Sequence, residues 1–524
     1  MREYVRAGIA VRLLLPSHRA FAGRVHAPQG REIGRAHGYG AFALAVGLGT
    51  ETVHPVETTA ATGTPPAARP PTEARRVLVV SFDFPPARTS AVYRMTGLCK
   101  YLVGAGWHPT VLSALVTEGD SDPALLDKLP TAVKIVRAKY NRIFAWEQAA
   151  SSAVKKVGAL SPTDDKGTYP PARFPSLDRW LRRMGDFLRS CLYFPDHTVG
   201  WIPSALGEAI RLHRQQPFDV VYCTSPPRSS LIVGWMMKVL LRARWVLELM
   251  DPWYPPPQQP LRRWFEHRLL ARLLRSADAV VVMVPGHADD LHQTFAVPHE
   301  KMTVVRNGFD EDDFRPEPEP EPEPGAELMP PGFLHFSHFG TVYPENSGLF
   351  FPALCELVEE RPELRRRLRV NMFGHPYEPF LQRYAQEGPL AGVLRIHGFI
   401  PHSRVLQYMR ASDLLLLFWG RSDFSRLAAA GKTYEYLRIG RPIFAVSHAG
   451  GGIHQLVKEG EAGWVADPAN KETIKQLMRE ALEVLPTNHL GPRRPEFVAQ
   501  FRYENLAGIL ASVFDRVTAH ARRA

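Results

Sequence analysis

The chain has 524 residues, too many for a single hydrophobic core, so two or three domains are expected. Hydrophobic residues make up 45% and charged residues 22%, as in soluble globular proteins, and no apolar run reaches the roughly 18–20 residues of a membrane-spanning helix. The formal charge of +11 suits an anionic partner, such as a nucleotide diphosphate, an acidic membrane surface or nucleic acid. The four cysteines are widely spaced and include no CxxC pair, which argues against a structural zinc site.

The first 74 residues differ in composition from the rest of the chain. Residues 1–74 contain eight arginines but neither lysine nor aspartate, and they end in the proline-rich stretch TTAATGTPPAARPPTEA. Their apolar residues show poor periodicity, and no compact apolar core precedes a small-residue cleavage site, as an export signal requires. We therefore expect residues 1–74 to form a disordered extension.

A βαβ unit opens the regular part of the chain at Arg75. RRVLVVSF predicts a buried strand, AVYRMTGLCKYLVGAG a helix that ends on glycine, and HPTVLSAL the next strand. Residues 75–314 should form one domain with a mostly parallel sheet covered by helices on both faces. Its further strands are predicted in DVVYCTS (219–225), RWVLELMD (244–251), DAVVVMV (278–284) and MTVVRNG (302–308).

A second α/β domain follows an alternating Pro/Glu segment. The segment RPEPEPEPEPG (315–325) disfavours both a helix and a packed core, so it predicts an extended, solvated linker. A C-terminal helix with an apolar stripe is predicted in 501–524; it can pack on either domain, and we expect it to pack back on the N-terminal one. A second doubly wound domain is predicted at 326–500, with strands in FLHFSHFG, LRVNMFG, VLRIHGF, DLLLLFW, PIFAVS and GWVAD.

Doubly wound sheets bind ligands outside the carboxyl ends of their strands. Two such sheets that face each other would create one deep cleft. The candidate residues for its walls lie near predicted strand ends or on an adjoining helix, and they are Asp251, Gly340, His397 and Glu435.

Residues 75–524 also carry a series of motifs: VLVVSFDFPP, FPDHTVGW (194–201), ELMDPW (248–253), VVRNGFDEDDF, HFGTVY, GFIPHSRVLQYMRASDLLLLF and GKTYEYLRIGRPIFAV. In their order and spacing, these motifs resemble the GT-B glycosyltransferases of the family 4 type, in particular the bacterial subgroup that builds surface polysaccharides. The resemblance implies an α/β fold of two doubly wound Rossmann-like domains facing one cleft. It also implies a nucleotide-sugar donor in the C-terminal domain, an acceptor in the N-terminal domain, and no metal ion or other cofactor.

The resemblance assigns donor-binding roles to two of these motifs. It implies that Glu435 accepts hydrogen bonds from the donor ribose, since a carboxylate can accept from both hydroxyls of a diol, and that Lys432 stabilises the diphosphate leaving group. Gly340 and Thr341 would let backbone amides approach the phosphates where a strand meets a helix. The alternative reading of the same residues is an exposed helical ion pair between Lys432 and Glu435.

Other motifs supply the remaining site residues. By the resemblance, Asp251 is a catalytic candidate on the sugar or acceptor side of the cleft, and Arg94 faces the same cleft. His397, Gly398 and Phe399 would supply the backbone edge that reads the donor base. A turn cap at Asp251 and ordinary strand-to-loop packing at His397 are the alternatives.

At one position this chain lacks an acidic residue that relatives often carry. Relatives often carry a second glutamate, near the transferred sugar, eight residues before the one on the helix, but this chain has Leu427 there. The group that supports the transferred sugar is therefore unassigned.

The run DEDD (310–313) follows NGF at a domain exit, unlike the metal-binding DxD of another glycosyltransferase fold, so we expect no bound metal.

The stretch SLDRWLRRMGDFLRSCLYF (176–194) places apolar residues on one helical face and arginines on the rest. It is either an interfacial helix that contacts a membrane or an amphipathic helix of the core. The other basic residues are dispersed and match no nucleic-acid-binding module, so nucleic acid is not an expected partner.

Taken with the resemblance, these features predict a hexosyltransferase-type glycosyltransferase in the cytoplasm, at the inner face of the membrane. It would move a sugar from a nucleotide sugar to a saccharide or lipid-linked acceptor, with retention of configuration, in cell-surface polysaccharide biosynthesis. Two alternatives stay open: a non-catalytic glycosyltransferase-like binding protein, which Leu427 favours, and a sugar-nucleotide epimerase of the same fold.

Overall fold

The computed structural model describes residues 75–115, 121–140, 193–253, 260–315, 328–374, 378–485 and 493–520, all within the compact unit Pro71–Ala524. The predicted extension, nearly all of the predicted linker and most of the amphipathic stretch 176–194 lie outside the described residues, so those predictions stay predictions. Within the described ranges, no helix is both long and apolar enough to cross a membrane.

A seven-stranded parallel sheet with the order β3-β2-β1-β4-β5-β6-β7 forms the centre of the N-terminal domain. Its strands are β1 (Arg75–Val80), β2 (Trp107–Leu115), β3 (Lys134–Lys139), β4 (Val220–Ser225), β5 (Trp245–Leu249), β6 (Ala279–Val282) and β7 (Met302–Val304). The described α-helices of this domain are α1 (Ser90–Leu102), α2 (Ala124–Asp127), α3 (Ile202–Gln215), α4 (Ser229–Leu241), α5 (Pro260–Ser276) and α6 (Pro285–Phe295). Short 3-10 turns lie at Val199–Trp201, His299–Lys301 and Glu311–Phe314.

Both faces of β1 are buried, as its unbroken apolar run predicts. Val77 and Val79 belong to the core on the α1 side of the sheet, whereas Leu78 and Val80 belong to the core on the α4 side. Strand β3 is absent from the sequence prediction. It lies at the sheet edge, and its KIVRAK sequence mixes charged residues into the run because most of its side chains are only partly covered.

A six-stranded parallel sheet with the order β10-β9-β8-β11-β12-β13 forms the centre of the C-terminal domain. Its strands are β8 (Leu334–Phe339), β9 (Leu368–Phe373), β10 (Leu394–Gly398), β11 (Leu414–Gly420), β12 (Ile443–Ser447) and β13 (Gly463–Ala466). The described α-helices that follow α6 are α7 (Pro344–Ser347), α8 (Phe350–Glu360), α9 (Leu364–Arg367), α10 (Glu378–Gln386), α11 (His402–Ala411), α12 (Asp423–Leu427), α13 (Lys432–Ile439), α14 (Gly452–Glu459), α15 (Lys471–Val484), α16 (Pro495–Ala499) and α17 (Tyr503–His520). A 3-10 turn lies at Gly388–Leu390.

The C-terminal helix α17 packs on α1 of the N-terminal domain. Gly97 makes this possible, because a Cβ atom at that position would lie 2.2 Å from the ring of Tyr503. The two segments that cross between the domains also pair with each other: the Phe309 amide donates to the Phe501 carbonyl at 3.1 Å, and the Tyr503 amide donates to the Phe309 carbonyl at 3.0 Å. Helix α17 is thereby fixed to the first domain.

The carboxyl ends of the two sheets face each other. Tyr93, in the first turn of α1 after β1, stacks on His402, the first residue of α11 after β10. Gly286, at the start of α6 after β6, lies against Leu427 of α12 after β11. The segments that leave both sheets at their carboxyl ends therefore form the two sides of one cleft, which confirms the predicted fold of two doubly wound domains.

Candidate functional site

Helix α13 turns Lys432 and Glu435 to the same side because they are three residues apart. The residues between and after them are buried against the domain, and they are Thr433, Tyr434, Tyr436, Leu437 and Ile439. The helix ends at Gly440, whose φ of +75° suits glycine at a helix C-terminus, and the chain then enters β12. The two polar side chains thus stand on a short, well-packed helix beside the cleft.

Lys432 is held by a buried histidine. Its Nζ lies 3.3 Å from Nε2 of His338, which is fully buried on β8 and stacks on Phe418. The Nδ1–H of His338 donates to the Leu416 carbonyl at 2.9 Å, which leaves Nε2 as the acceptor for the lysine. Burial and the neighbouring Lys432 hold the pKa of His338 well below its usual value, so the imidazole is neutral.

Burial also lowers the pKa of Lys432 to about 8, although the nearby Glu435 carboxylate favours the charged form. A lysine that is poorly solvated and pairs with a neutral imidazole gains more from an incoming anion than a surface lysine does. The arrangement around Lys432 is therefore suited to bind a negatively charged group such as a phosphate.

Three glycines open the backbone at the carboxyl ends of β8, β9 and β10. Gly340 has a φ of +122°, and a Cβ atom on it would lie 2.5 Å from the Lys432 ammonium. Gly374 has a φ of +118°, and its Cβ would lie 2.9 Å from the Gly340 backbone; its amide donates to the Gly398 carbonyl at 2.6 Å. We call Gly340, Gly374 and Gly398 the glycine edge.

Thr341 follows the glycine edge and is half-buried. The expected helix start at this point is only the four-residue α7, and the longer α8 begins at Phe350. A single turn offers little helix dipole, so phosphate binding here would depend on Lys432 and the open backbone.

Glu435 contacts a histidine rather than Lys432. Its Oε1 lies 3.1 Å from Nε2 of His402, and both side chains are about one-fifth exposed, at 23% and 22%. Hydrogen bonding to Glu435 raises the pKa of His402 in spite of its burial. The ring of Tyr93 stacks on the imidazole from the other domain at 4.9 Å. The second carboxylate oxygen of Glu435 is left to accept hydrogen bonds from a ligand.

His397 is part of a buried polar chain. The His397 Nε2–H donates to Asn371 Oδ1 at 3.0 Å, and the Asn371 amide donates to His335 Nδ1 at 3.1 Å. The His397 ring also stacks on Phe373. Burial lowers the pKa of His397 to about 4, so the ring is neutral at physiological pH. The side chain of His397 thus bonds within its own domain, and its role at the donor base stays a prediction. Phe399, by contrast, is 48% exposed, and the Arg88 guanidinium lies over its ring at 3.8 Å.

Asp251 follows β5 on the opposite side of the cleft. It remains accessible to solvent, but the surrounding protein raises its pKa to about 6 by desolvation. The neighbouring Trp253 is buried and donates from its indole nitrogen to Glu266 at 2.7 Å, which fixes the segment after Asp251. The carboxylate therefore lies at a strand end, and desolvation places its pKa at about 6.

Comparison with known families assigns both domains. Residues 91–308 match the family described as "Glycosyl transferase 4-like domain", and residues 336–484 match the family described as "Glycosyl transferases group 1". The second match includes Gly340, Lys432 and Glu435. The chain belongs to the GT-B glycosyltransferases of the family 4 type.

Relatives of this family differ in how much they share with the chain. The D-inositol 3-phosphate glycosyltransferase of Streptomyces avermitilis is 23% identical over 261 residues, which are 48% of this chain and 55% of that protein. The chain thus spans about half the length of the curated relatives it matches. A glycosyltransferase from Rickettsia africae aligns with a TM-score of 0.56 and 13% identity over 85% of this chain and 99% of its own. Anabaena Alr3699/HepE in complex with UDP-glucose aligns with a TM-score of 0.52 and 13% identity, over 86% and 100%.

The prediction that Arg94 faces the cleft is wrong. Arg94 is 1% exposed, and its guanidinium binds the fully buried Glu248 of β5, with Nη2 2.6 Å from Oε1. Two more of its N–H groups donate to the Val305 and Arg306 carbonyls at 2.9 and 2.6 Å. Because Glu248 needs a cation inside the sheet, α1 turns its arginine inward, where it joins α1, β5 and the segment after β7.

The DEDD run makes ion pairs within the N-terminal domain and one across to the C-terminal domain. Lys100 lies 2.7 Å from Asp310 and 2.5 Å from Asp312, while Asp313 pairs with Lys128. Glu311 pairs with Arg438 of α13. In the described part of the chain, no group of three His, Cys, Asp or Glu residues is arranged to hold a metal ion.

Sequence reasoning missed the residues that hold Lys432 and Glu435. His338 lies within the strand FLHFSHFG, where a histidine in an apolar run is the only signal of a buried polar contact. His402 follows Pro401 at the start of α11, and Tyr93 lies in the first helix. These contacts join positions that are distant in sequence, so local patterns do not reveal them.

Proposed function

We propose that this chain is a hexosyltransferase-type glycosyltransferase that moves a sugar from a nucleotide diphosphate sugar to a saccharide or lipid-linked acceptor, with retention of configuration. One observation carries the proposal: Lys432, beside the open backbone of Gly340, and Glu435 share one side of α13. A poorly solvated cation beside open backbone suits a diphosphate, and a carboxylate suits a ribose diol. The C-terminal domain would then supply the binding groups for the donor.

In the proposed reaction, the bond between the anomeric carbon and the donor phosphate oxygen breaks, and the acceptor hydroxyl oxygen bonds to that carbon. For retention, the acceptor approaches from the side on which the diphosphate leaves, and its proton passes to the leaving diphosphate. Lys432 would stabilise the negative charge that develops on this leaving group. Asp251 would accept a hydrogen bond from a sugar or acceptor hydroxyl, and closure of the cleft would exclude water.

The similar proteins support the donor class. Anabaena HepE, which shares the fold, binds UDP-glucose in its solved structure. The curated relatives are named D-inositol 3-phosphate glycosyltransferases, but this chain matches only about half of their length. We therefore propose a saccharide or lipid-linked acceptor in cell-surface polysaccharide biosynthesis, as the motif resemblance implies, with no metal or other cofactor.

Helix α5 supports contact with a membrane. Leu261, Trp264 and Phe265 are each about half exposed, at 52%, 49% and 49%, and the Arg268 guanidinium lies over the Trp264 ring at 4.2 Å. An exposed Trp/Phe pair beside arginines is typical of a surface that inserts at an anionic lipid interface. We propose that this face, with the predicted helix of 176–194, brings the acceptor side of the cleft to the inner surface of the membrane.

Nucleotide binding tests the donor site. UDP, GDP, ADP and dTDP should be compared for thermal stabilisation of the full chain and of its Lys432→Ala and Glu435→Ala variants. A nucleotide at 100 times its Kd should add about 2.7 kcal/mol to the free energy of unfolding. Lys458→Ala and Glu459→Ala are matched controls, because both side chains are exposed on α14 of the same domain. We expect one nucleotide to stabilise the wild type and both controls but neither site variant.

Leu427 favours a second candidate function, a non-catalytic binding protein of the same fold. The leucine at the position of the often-present glutamate is 1% exposed and packs against Gly286 of the other domain. A non-catalytic binding protein of the same fold would bind the nucleotide sugar without transferring or hydrolysing it. Product analysis after incubation with the nucleotide sugar separates the cases: free nucleotide diphosphate indicates transfer or hydrolysis, unchanged donor indicates binding alone, and an epimerised nucleotide sugar indicates an epimerase.

A further inference from the structure

We propose that His402 is a positioning residue for the Glu435 carboxylate, and that Tyr93 from the opposite domain holds His402 in that position. The inference rests on the proposed nucleotide-binding role of Glu435 and adds a link between that role and the other domain. The donor site would then be complete only when the two domains are in contact.

Glu435 needs such a support because its side chain is long and only partly covered. Its three rotatable bonds allow the carboxylate to take several orientations, and ordering it on ligand binding costs conformational entropy. The 3.1 Å contact with His402 Nε2 fixes Oε1 and with it the direction of Oε2. His402 is the first residue of α11 and follows Pro401, which has restricted backbone freedom, so its own position is well defined.

Tyr93 covers the other side of the imidazole. The two rings are 4.9 Å apart at 31°, and Tyr93 belongs to α1 of the N-terminal domain. Burial raises the pKa of Tyr93 to about 12, so the phenol stays neutral and acts as a stacking surface. A second contact between the domains, Arg88 over Phe399, lies beside it at 3.8 Å. Separation of the domains would remove the stack and leave His402 free to turn away from Glu435.

The charges around His402 set the pH dependence of its contact with Glu435. The facing groups are the carboxylates of Glu435 and Asp313, the ammonium of Lys128, and the neutral Tyr93. Burial and Lys128 oppose the imidazolium, whereas Glu435 and Asp313 favour it, and the net effect raises the pKa of His402. The charged imidazole holds the carboxylate more strongly, so nucleotide affinity should decrease as the pH rises through this pKa.

Calorimetric titration of the stabilising nucleotide tests the role of His402. At pH 6, His402→Ala should weaken binding about tenfold, as expected for loss of a hydrogen bond to a charged group. His402→Gln keeps an N–H donor that does not titrate, so it should restore most of the affinity and remove the dependence on pH between 6 and 7, below the titration of Lys432. Tyr93→Phe should bind like the wild type because the ring remains, whereas Tyr93→Ala should bind several-fold more weakly. The Tyr93→Ala and His402→Ala effects should not add, since both act on one contact.

The outcomes separate this inference from the proposed function. If Glu435→Ala loses binding but His402→Ala binds like the wild type, the positioning role is overturned and the donor site stands. If Glu435→Ala binds like the wild type, both fail. The contact can also be tested without nucleotide, by NMR titration of the His402 ring, assigned from the signal lost in His402→Gln. We expect a pKa above 6.5 that decreases in Glu435→Gln; an ordinary value in both proteins would overturn the inference.

Discussion

Nucleotide affinity should fall above pH 8, because the cation that we assign to the diphosphate loses its charge there. Burial lowers the pKa of Lys432 from 10.5 to about 8, although Glu435 favours the charged form. If only the charged lysine binds the diphosphate, the apparent Kd increases with the fraction of neutral lysine. That fraction is about one-tenth at pH 7 and about nine-tenths at pH 9, so binding should weaken about tenfold between these values.

The same titration should affect the unliganded protein in the opposite direction. Between about pH 8 and pH 10.5, the folded chain has lost the Lys432 proton, whereas the unfolded chain still holds it. Since the unfolded state binds more protons in this window, this group makes the free energy of unfolding increase with pH. If the total free energy of unfolding does not fall between pH 7 and pH 9, a decrease in affinity over that range cannot result from alkaline unfolding.

Calorimetry at pH 7, 8 and 9 measures the affinity, and urea unfolding at the same values measures the stability. Lys432→Ala should bind weakly at every pH and show no alkaline decrease, while the exposed control Lys458→Ala should retain it. His402→Gln should also keep the decrease above pH 8, which separates the lysine from the histidine. A constant affinity of the wild type between pH 7 and pH 9, or an equal decrease in Lys432→Ala, would refute the reasoning.

Four further predictions concern separate parts of the molecule. Gly340→Ala should weaken nucleotide binding at least tenfold, since its Cβ would lie 2.5 Å from the Lys432 ammonium. The control Gly332→Ala also has a positive φ, +88°, but its Cβ would meet no neighbouring atom, so the affinity measured by calorimetry should not change. Arg94→Met leaves a buried carboxylate unpaired and should lower the free energy of unfolding in urea by about 3–5 kcal/mol. Trp264→Ala should reduce sedimentation with phosphatidylglycerol vesicles, but equal binding to phosphatidylcholine vesicles would contradict an anionic interface. Asp251→Asn should lower the rate of glycosyl transfer roughly 10–100-fold and remove the decrease of that rate below about pH 6. Nucleotide affinity, measured by calorimetry, should not change.

Hydrophobic periodicity predicted nearly all the strands of the two sheets. Unbroken apolar runs such as VLVV in β1 and LLLL in β11 identify strands that are buried on both faces, and such strands pack in parallel sheets between helices. The charged edge strand β3 escaped this pattern because a partly covered strand needs no apolar run. The strands themselves therefore follow from apolar runs in the sequence, whereas a partly covered edge strand such as β3 does not.

The site was predictable only in part. Lys432 and Glu435 could be identified by resemblance because both lie in one continuous motif, GKTYEYLRIGRPIFAV. The partners of these residues could not be found in this way, since His338 is 94 residues from Lys432 and His402 is 33 residues from Glu435. The error at Arg94 has the same origin: its partner Glu248 is 154 residues away, and a buried ion pair looks like two ordinary surface charges in the sequence.

The position of Leu427 indicates how the work of the site is divided. Its side chain is 1% exposed and lies against Gly286 of the other domain, so a carboxylate there would lose its solvation and disturb the contact between the domains. The sugar would then be held by other groups, and we propose Asp251, which follows β5 at the carboxyl end of the opposite sheet. If the donor groups lie on one domain and the sugar-side carboxylate on the other, as we propose, transfer requires that the domains meet. The stack of Tyr93 on His402 forms at that same contact, so the orientation of Glu435 and the approach of Asp251 would depend on one closure.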